Sequence, residues 1–385
     1  MRNEHRPLAP SRRSVWQVGS ALGLAGMVSA LTGEIAGPTM IPDPTMMTRV
    51  VADAALRDHP EPLPFDWGEG MLLAGLMHAH RWTGEARYLE FVRRFADYWA
   101  ARDLEPVLAE KGYCGHWGPA WAMWLLFEQT GDVRHAHLAE EVVEFMRRRA
   151  ERTRAGALSH FRGKPQLWVD TLAMVCPVLA HGSRLRQQPA WQAEAIEQFE
   201  RFREHLRDPA SGLYVHLWDE ASGQKTTAFW ARGNGWVVVS LVEMIRNEKA
   251  GSMADRQLRT ALGRLLAALG RYQDQASGLW HTVLDVPDTP HETSASAMFL
   301  YGMAQAGRWN LESVPPASVL RRAWRGLARQ VDAQGRVVGV SAGTVPGDKT
   351  RYAARPLGTY PWGTGAFLLA AVGMAELEAD AAAKR

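Results

Sequence analysis

Cysteine is scarce in this chain: Cys114 and Cys176 are the only two among 385 residues. Their separation fits no metal-ligand spacing, and two thiols cannot build the disulfide framework that holds small secreted domains together. Buried free thiols are the expectation, a single bridge the other arrangement. Long apolar runs are missing as well. No stretch reaches the roughly eighteen residues that a membrane-spanning helix needs, so no integral membrane segment is expected in the mature chain. Charge of one sign is not in excess, with 44 Lys and Arg against 41 Asp and Glu and a net charge of +3. No basic run is interleaved with aromatics, which argues against a nucleic-acid partner.

What the chain does have is a large apolar content, 46% hydrophobic against 22% charged residues, enough for an extensive core. It also has 16 tryptophans. Indole offers a broad face that stacks on sugar rings, although it fills cores equally well.

The amino terminus reads apart from the rest. Arg2, Arg6, Arg12 and Arg13 precede a mildly apolar, Gly/Ala-rich run from Val15 to Leu31, and Val28-Ser29-Ala30 supplies small residues for cleavage. This is the layout of an export signal, and Ser11-Arg12-Arg13-Ser14-Val15 resembles its twin-arginine variety. Residues 1–44 are therefore read as an export leader or a disordered arm. The expected location is periplasmic or secreted, and cytoplasmic if the leader is not a signal.

From residue 45 to 385 the chain reads as one domain built on a repeat. Six apolar helical runs stand at Met71–Trp82, Ala120–Gln129, Thr171–Ala180, Trp236–Ile245, Ser294–Ala304 and Ala366–Leu377, their starts 49 to 72 positions apart. Amphipathic, charge-rich helices alternate with them: Met47–Leu56, Ala86–Ala101, His135–Arg149, Trp191–Leu206, Met253–Tyr272 and Ser318–Val331. Helices apolar on nearly every side must be enclosed, and helices with one apolar stripe must lie outside them. Strict alternation of six and six predicts an all-α (α/α)6 barrel, a six-hairpin toroid, with a flat solenoid as the other solution.

A Gly-centred turn recurs after the outer helices at Gly112, Gly156, Gly212, Gly278 and Gly335, each leading into a short extended piece. Gly supplies the positive φ that such a turn requires. Recurrence at one phase of the repeat should gather these pieces, and the starts of the inner helices, around a common mouth. Asp170 falls there, two residues after Trp168 and at the head of an apolar helix. Trp230, Arg232 and Trp236 occupy the corresponding place in the next inner helix. An Asp before a helix is commonly a cap, but tryptophans and an arginine at successive helix starts describe a pocket for a ring that carries an anion.

Phe229-Trp230-Ala231-Arg232-Gly233-Asn234-Gly235-Trp236, His291-Glu292-Thr293-Ser294-Ala295-Ser296-Ala297-Met298 and Gly363-Thr364-Gly365-Ala366-Phe367-Leu368-Leu369-Ala370 carry a resemblance. With Asp170 and its helix, they are similar to the unsaturated rhamnogalacturonyl hydrolases, glycoside hydrolase family 105, relatives of the unsaturated glucuronyl hydrolases. The likeness runs from about residue 47 to the end. It implies an enzyme that removes a 4,5-unsaturated uronic acid from lyase-cut oligosaccharides, with neither metal nor other cofactor. It implies Asp170 as the catalytic acid and base, its pKa raised by an apolar setting beside Trp168. Arg232 would grip the uronate carboxylate through two parallel hydrogen bonds. Trp230 and Trp236 would frame the sugar, and His160 and His216 would touch substrate or water. Glu292 and Thr293 are read as capping the fifth inner helix.

The sequence departs from the family in one respect. Where relatives carry a second aspartate before the second inner helix, it reads Cys114-Gly115-His116-Trp117. His116 or Trp117 could take over the binding role. Otherwise Asp66 or Glu69, flanking Trp67 at the head of the first inner helix, could supply another carboxylate, and Trp67 itself could bind substrate. Two carboxylates would allow ordinary hydrolysis of a saturated uronoside. A non-catalytic sugar-binding toroid is the third reading, since fold alone does not give function. The chain is expected as a monomer or homodimer.

Overall fold

A computed structural model describes residues 41–384. The expected leader, apart from its last four residues, lies outside that range. Fourteen helices occupy the described residues. The outer set comprises α1 (Pro44–Asp58), α3 (Ala86–Ala100), α6 (Val133–Arg148), α8 (Pro189–Leu206), α10 (Met253–Gly270) and α12 (Ala317–Ala328). The inner set comprises α2 (Trp67–Thr83), α5 (Pro119–Thr130), α7 (Thr171–Arg186), α9 (Ala231–Asn247), α11 (Thr293–Arg308) and α14 (Pro361–Ala383). Two short helices, α4 (Glu105–Ala109) and α13 (Lys349–Ala353), lie in the connections.

Burial follows the composition. α7 is buried without interruption from Thr171 to Ser183, whereas α3 buries only Tyr88, Phe91, Val92, Phe95 and Ala96, at helical spacing. Asp43, Asp132 and Ser252 cap α1, α6 and α10 by accepting from first-turn N–H groups. Gly84 and Gly131 end α2 and α5 in the left-handed conformation.

The ring closes. Each inner helix packs on the next, and α14 packs back on α2; each outer helix rests on the inner helices before and after it. The barrel, not the open solenoid, is the architecture. Closure depends on two glycines. A Cβ on Gly365 would stand 2.1 Å from the carbonyl oxygen of Met71, and one on Gly75 would stand 2.7 Å from that of Gly365. The two backbones touch because neither residue has a side chain.

The five turn glycines all have positive φ, from 53° to 82°. Around four of them a link to the carbonyl of the residue after the glycine recurs: Thr153 N–H to Ala157 O, Asp208 N–H to Leu213 O, Asp274 N–H to Leu279 O, and Asp332 N–H to Arg336 O. The extended pieces pair sparsely. β1 (Gln166–Trp168) runs antiparallel to β2 (Leu217–Asp219), and β3 (Val340–Ser341) to β4 (Leu357–Gly358). Both pairs lie beside the amino-terminal ends of inner helices. Cys114 and Cys176 are free and buried, and no described helix is long and apolar enough to cross a membrane.

Candidate active site

The mouth holds a cavity of about 190 Å³. Trp67 at the start of α2, the turn Tyr113-Cys114-Gly115 before α5, Asp170 and Met174 at the start of α7, and Trp230 and Arg232 at the start of α9 line it. His160, Phe161 and Trp168 complete one wall, and Gly343, Thr344 and Val345 another. Amino-terminal helix ends carry partial positive charge, so their convergence favours an anion here.

Asp170 occupies the cap position of α7 but makes no capping hydrogen bond. Its Oδ2 lies 2.9 Å from His216 Nε2 instead. The two atoms are close but poorly aligned, so neither has a well-directed hydrogen bond although both are buried. The expectation of a raised pKa is corrected here. Burial pushes the Asp170 carboxyl up, but His216, with help from His160 and Arg232, pulls harder and holds it below its usual value. The apolar wall is present; the charges around the carboxyl outweigh it.

His216 is fixed from behind. Its Nδ1 lies 3.0 Å from the Tyr352 hydroxyl, which accepts from Gly347 N–H at 3.1 Å. With its oxygen so engaged, the hydroxyl proton is free to go to Nδ1, leaving Nε2–H toward Asp170 in the neutral ring. Trp230 stacks on the imidazole, 4.4 Å between centroids. His160 stacks on Trp168 at 4.2 Å and 8°. Its Nδ1 meets Thr171 Oγ1 at 3.0 Å and Cys114 Sγ at 3.1 Å. Burial lowers its pKa to about 3, so it is neutral. Burial likewise pushes the Cys114 thiol far up, which removes it as a nucleophile.

Arg232 shares the cavity with Asp170, but its terminal donors are engaged. Nη1 donates to Ser341 O at 2.9 Å and to the Ser341 hydroxyl; Nη2 donates to Ala342 O at 2.9 Å and Thr344 Oγ1 at 3.0 Å. Nε alone is buried without a partner. The expected two-pronged grip on a carboxylate therefore requires the 341–344 segment to yield donors. Trp230 lies under the guanidinium at 4.6 Å. Glu292 is fully buried and caps α11 through Ala295 N–H at 2.7 Å, while its Oε1 accepts Ser341 N–H at 2.9 Å and stands 3.7 Å from Arg232. Its role is structural, and broader than a cap.

The remaining expected residues separate. Trp236 lies below, on a narrower space walled by Trp67, Met71, Trp121 and Met174. His116 sits in a 3-10 turn against Tyr113 and is not among the lining residues; Trp117 is fully buried. Asp66 accepts Trp67 N–H at 2.8 Å as the cap of α2. Burial raises Asp66, and it raises Glu69 to about 7. Neither lines the cavity, where Asp170 is the one carboxylate among the described residues. Sequence reasoning missed Tyr352, Tyr113, Phe161 and the 341–345 segment. Only the aromatics beside Gly112 and His160 carried a local signal, as residues on mouth-facing extended pieces.

A family model described as Glycosyl Hydrolase Family 88 matches residues 44–378. The unsaturated rhamnogalacturonyl hydrolase of Bacillus subtilis is 27% identical over 312 residues, 79% of this chain and 87% of its own length. An unsaturated 3S-rhamnoglycuronyl hydrolase of Formosa agariphila is 26% identical over 346 residues, 82% and 85% of the two chains. Among solved structures, a possible member of the GH105 family from Salmonella enterica superposes with a TM-score of 0.77 at 26% identity, covering 89% of this chain and 97% of that one. An unsaturated glucuronyl hydrolase specific for heparin shares the fold at 14% identity, with a TM-score of 0.68 over 87% and 97%.

Proposed function

The chain belongs to glycosyl hydrolase family 88, and we propose that it removes a terminal 4,5-unsaturated uronic acid from lyase-generated oligosaccharides by hydrating the C4=C5 bond. The observation that carries this reading is a cavity with one carboxylate, Asp170, paired with an imidazole and sharing its walls with Arg232. Hydrolysis of a saturated uronoside needs two carboxyl groups across the scissile bond, and a second is not among the lining residues. As a glycoside hydrolase, the chain is not the non-catalytic toroid of the third reading.

The C4=C5 bond is an enol ether. A proton delivered to C4 leaves a cation at C5, shared with the ring oxygen. Water adds at C5 and gives up a proton, forming a hemiketal that opens and expels the neighbouring sugar. One proton is donated and one recovered, so a single group can serve both steps. Asp170 fills that role, with His216 Nε2 beside it at 2.9 Å. A uronate entering next to Arg232 neutralises part of the positive charge that holds Asp170 low, which raises the carboxyl's affinity for a proton as substrate binds. Trp230 and Trp168 flank the sugar, and His160, held neutral, offers it a hydrogen-bonding edge.

The two named relatives carry names that couple rhamnose to a uronyl group, which makes an unsaturated uronyl-rhamnose disaccharide the first substrate to test. Its double bond absorbs in the ultraviolet, and loss of that absorbance follows hydration directly. Asp170→Asn should lower kcat by about 10²–10⁴-fold while substrate still binds. Unchanged turnover in that variant, or release of saturated uronate without loss of absorbance, overturns the reading. We also read residues 1–44 as an export leader that takes the enzyme to the periplasm or beyond. The mass of the chain recovered from that compartment, shortened near Ala30, tests it. Light scattering distinguishes the monomer from the homodimer.

A further inference from the structure

Three side chains outside the cavity form a group the hydrolase reaction does not use. Asp274 stands in the Gly278 turn after α10, His281 on the extended piece that follows, and His291 just before α11. None of them lines the cavity. An antiparallel bridge pairs His281 with His291, and their rings lie 4.4 Å apart. One ligand atom from each of the three residues lies within 4.8 Å of the others.

We propose that Asp274, His281 and His291 form a structural site for a borderline divalent transition ion, with Zn²⁺ as the type case and solvent completing the coordination. His291 Nε2 is 3.6 Å from Asp274 Oδ1. Tetrahedral zinc, at about 2.0–2.1 Å from each donor, sets its ligands roughly 3.4 Å apart. Small side-chain rotations bring the trio to that spacing. His281 Nδ1 lies 2.6 Å from the carbonyl oxygen of Thr289, so it carries the proton and Nε2 keeps the lone pair. A histidine oriented through its other nitrogen by a carbonyl is the arrangement that metal-binding imidazoles use. Asp274 is itself positioned, its Oδ1 accepting Ser277 N–H at 2.7 Å. Ser277 Oγ, 3.1 Å from His291 Nε2, is the one group a metal would displace. Two imidazoles and one carboxylate select zinc-like ions over Mg²⁺ or Ca²⁺, which prefer oxygen donors.

The placement gives the ion a task. It would clamp the 279–283 piece to His291, next to Glu292, whose N–H already donates to Trp280 O at 2.9 Å. Glu292 in turn holds Ser341 and caps α11. The test uses the full chain, freed of metal with a chelator and titrated with Zn²⁺ by calorimetry, with Mg²⁺ as control. About one equivalent of Zn²⁺ should bind and raise the melting temperature, whereas Mg²⁺ should do neither. His291→Ala should weaken Zn²⁺ binding at least about tenfold while melting like the metal-free wild type. Co²⁺ added to the unaltered protein should give the intense visible bands of a four-coordinate site, a readout that needs no variant. Absence of saturable Zn²⁺ binding, or binding as tight as the wild type's in His281→Ala and His291→Ala, overturns the proposal, as does a six-coordinate Co²⁺ spectrum.

Discussion

Asp170 Oδ2 lies 2.9 Å from His216 Nε2, and the groups around the carboxyl hold it below the ordinary Asp value of 3.8. It acts as an acid toward C4 only when protonated; otherwise it rests as the carboxylate. kcat/KM, which reports the free enzyme, should therefore fall with rising pH from the acid end. His216→Gln removes the strongest of the influences that hold the carboxyl low, and that fall should move to higher pH. A pH–rate profile decides, and an unshifted fall in the variant would remove His216 as the group that tunes Asp170. Tyr352→Phe deletes the hydroxyl that sets the tautomer, so kcat should fall roughly fivefold, the worth of about 1 kcal/mol, with little change in KM. Asp170 was legible because it heads an apolar helix between aromatics. Tyr352 was not: it lies 136 positions from His216, and no local pattern encodes a contact at that range.

Helices show where the sequence ran short. The apolar runs locate all six inner helices, but α2, α9 and α14 begin four to five residues earlier than their runs, at Trp67, Ala231 and Pro361. Those first turns hold Gly68-Glu69-Gly70, Arg232-Gly233-Asn234 and Gly363-Thr364-Gly365. Polar and glycine residues interrupt the hydrophobic pattern where the helix faces the mouth or touches another backbone. The mismatch is thus a mark of the functional end. Gly365→Ala should test the second cause: its methyl would meet the Met71 carbonyl at 2.1 Å, and backbone cannot rotate away. A loss of about 1–3 kcal/mol should appear as a lower urea midpoint with an unchanged slope. The 341–358 connection escaped the sequence reading for a different reason. It contributes backbone carbonyls and hydroxyls to Arg232, groups that every loop possesses.

Taken whole, the barrel encloses titratable groups whose burial makes the fold sensitive to acid. His78 and His160 fall from 6.5 to about 3 on folding, both through burial. The unfolded chain binds more protons at these two sites between those limits, so stability declines as pH drops through 6.5 toward 3. Glu69 works the other way: burial raises it from 4.5 to about 7, so its contribution is complete below 4.5 and lost as pH rises through 7. Between 4.5 and 6.5 Glu69 offsets part of the effect of His78 and His160, and below 4.5 that offset ends. Urea midpoints should fall as the medium is acidified below 6.5, most steeply under 4.5, and Glu69→Gln should steepen the decline above 4.5. Glu243 adds to the acid sensitivity, since Arg246 and His181 outweigh its burial and hold it below its usual value. It accepts from Tyr301 Oη and lies 2.8 Å from His181 Nε2.

Further along the inner helices than the cavity, Trp67, Trp121 and Trp236 wall a space of only about 10 Å³, too small for a sugar ring. A polymer cannot thread through such a dead end, and only its tip can be seated. Each event then shortens a fragment by one unit, and throughput is governed by how many chain termini are offered, however much total mass is dissolved.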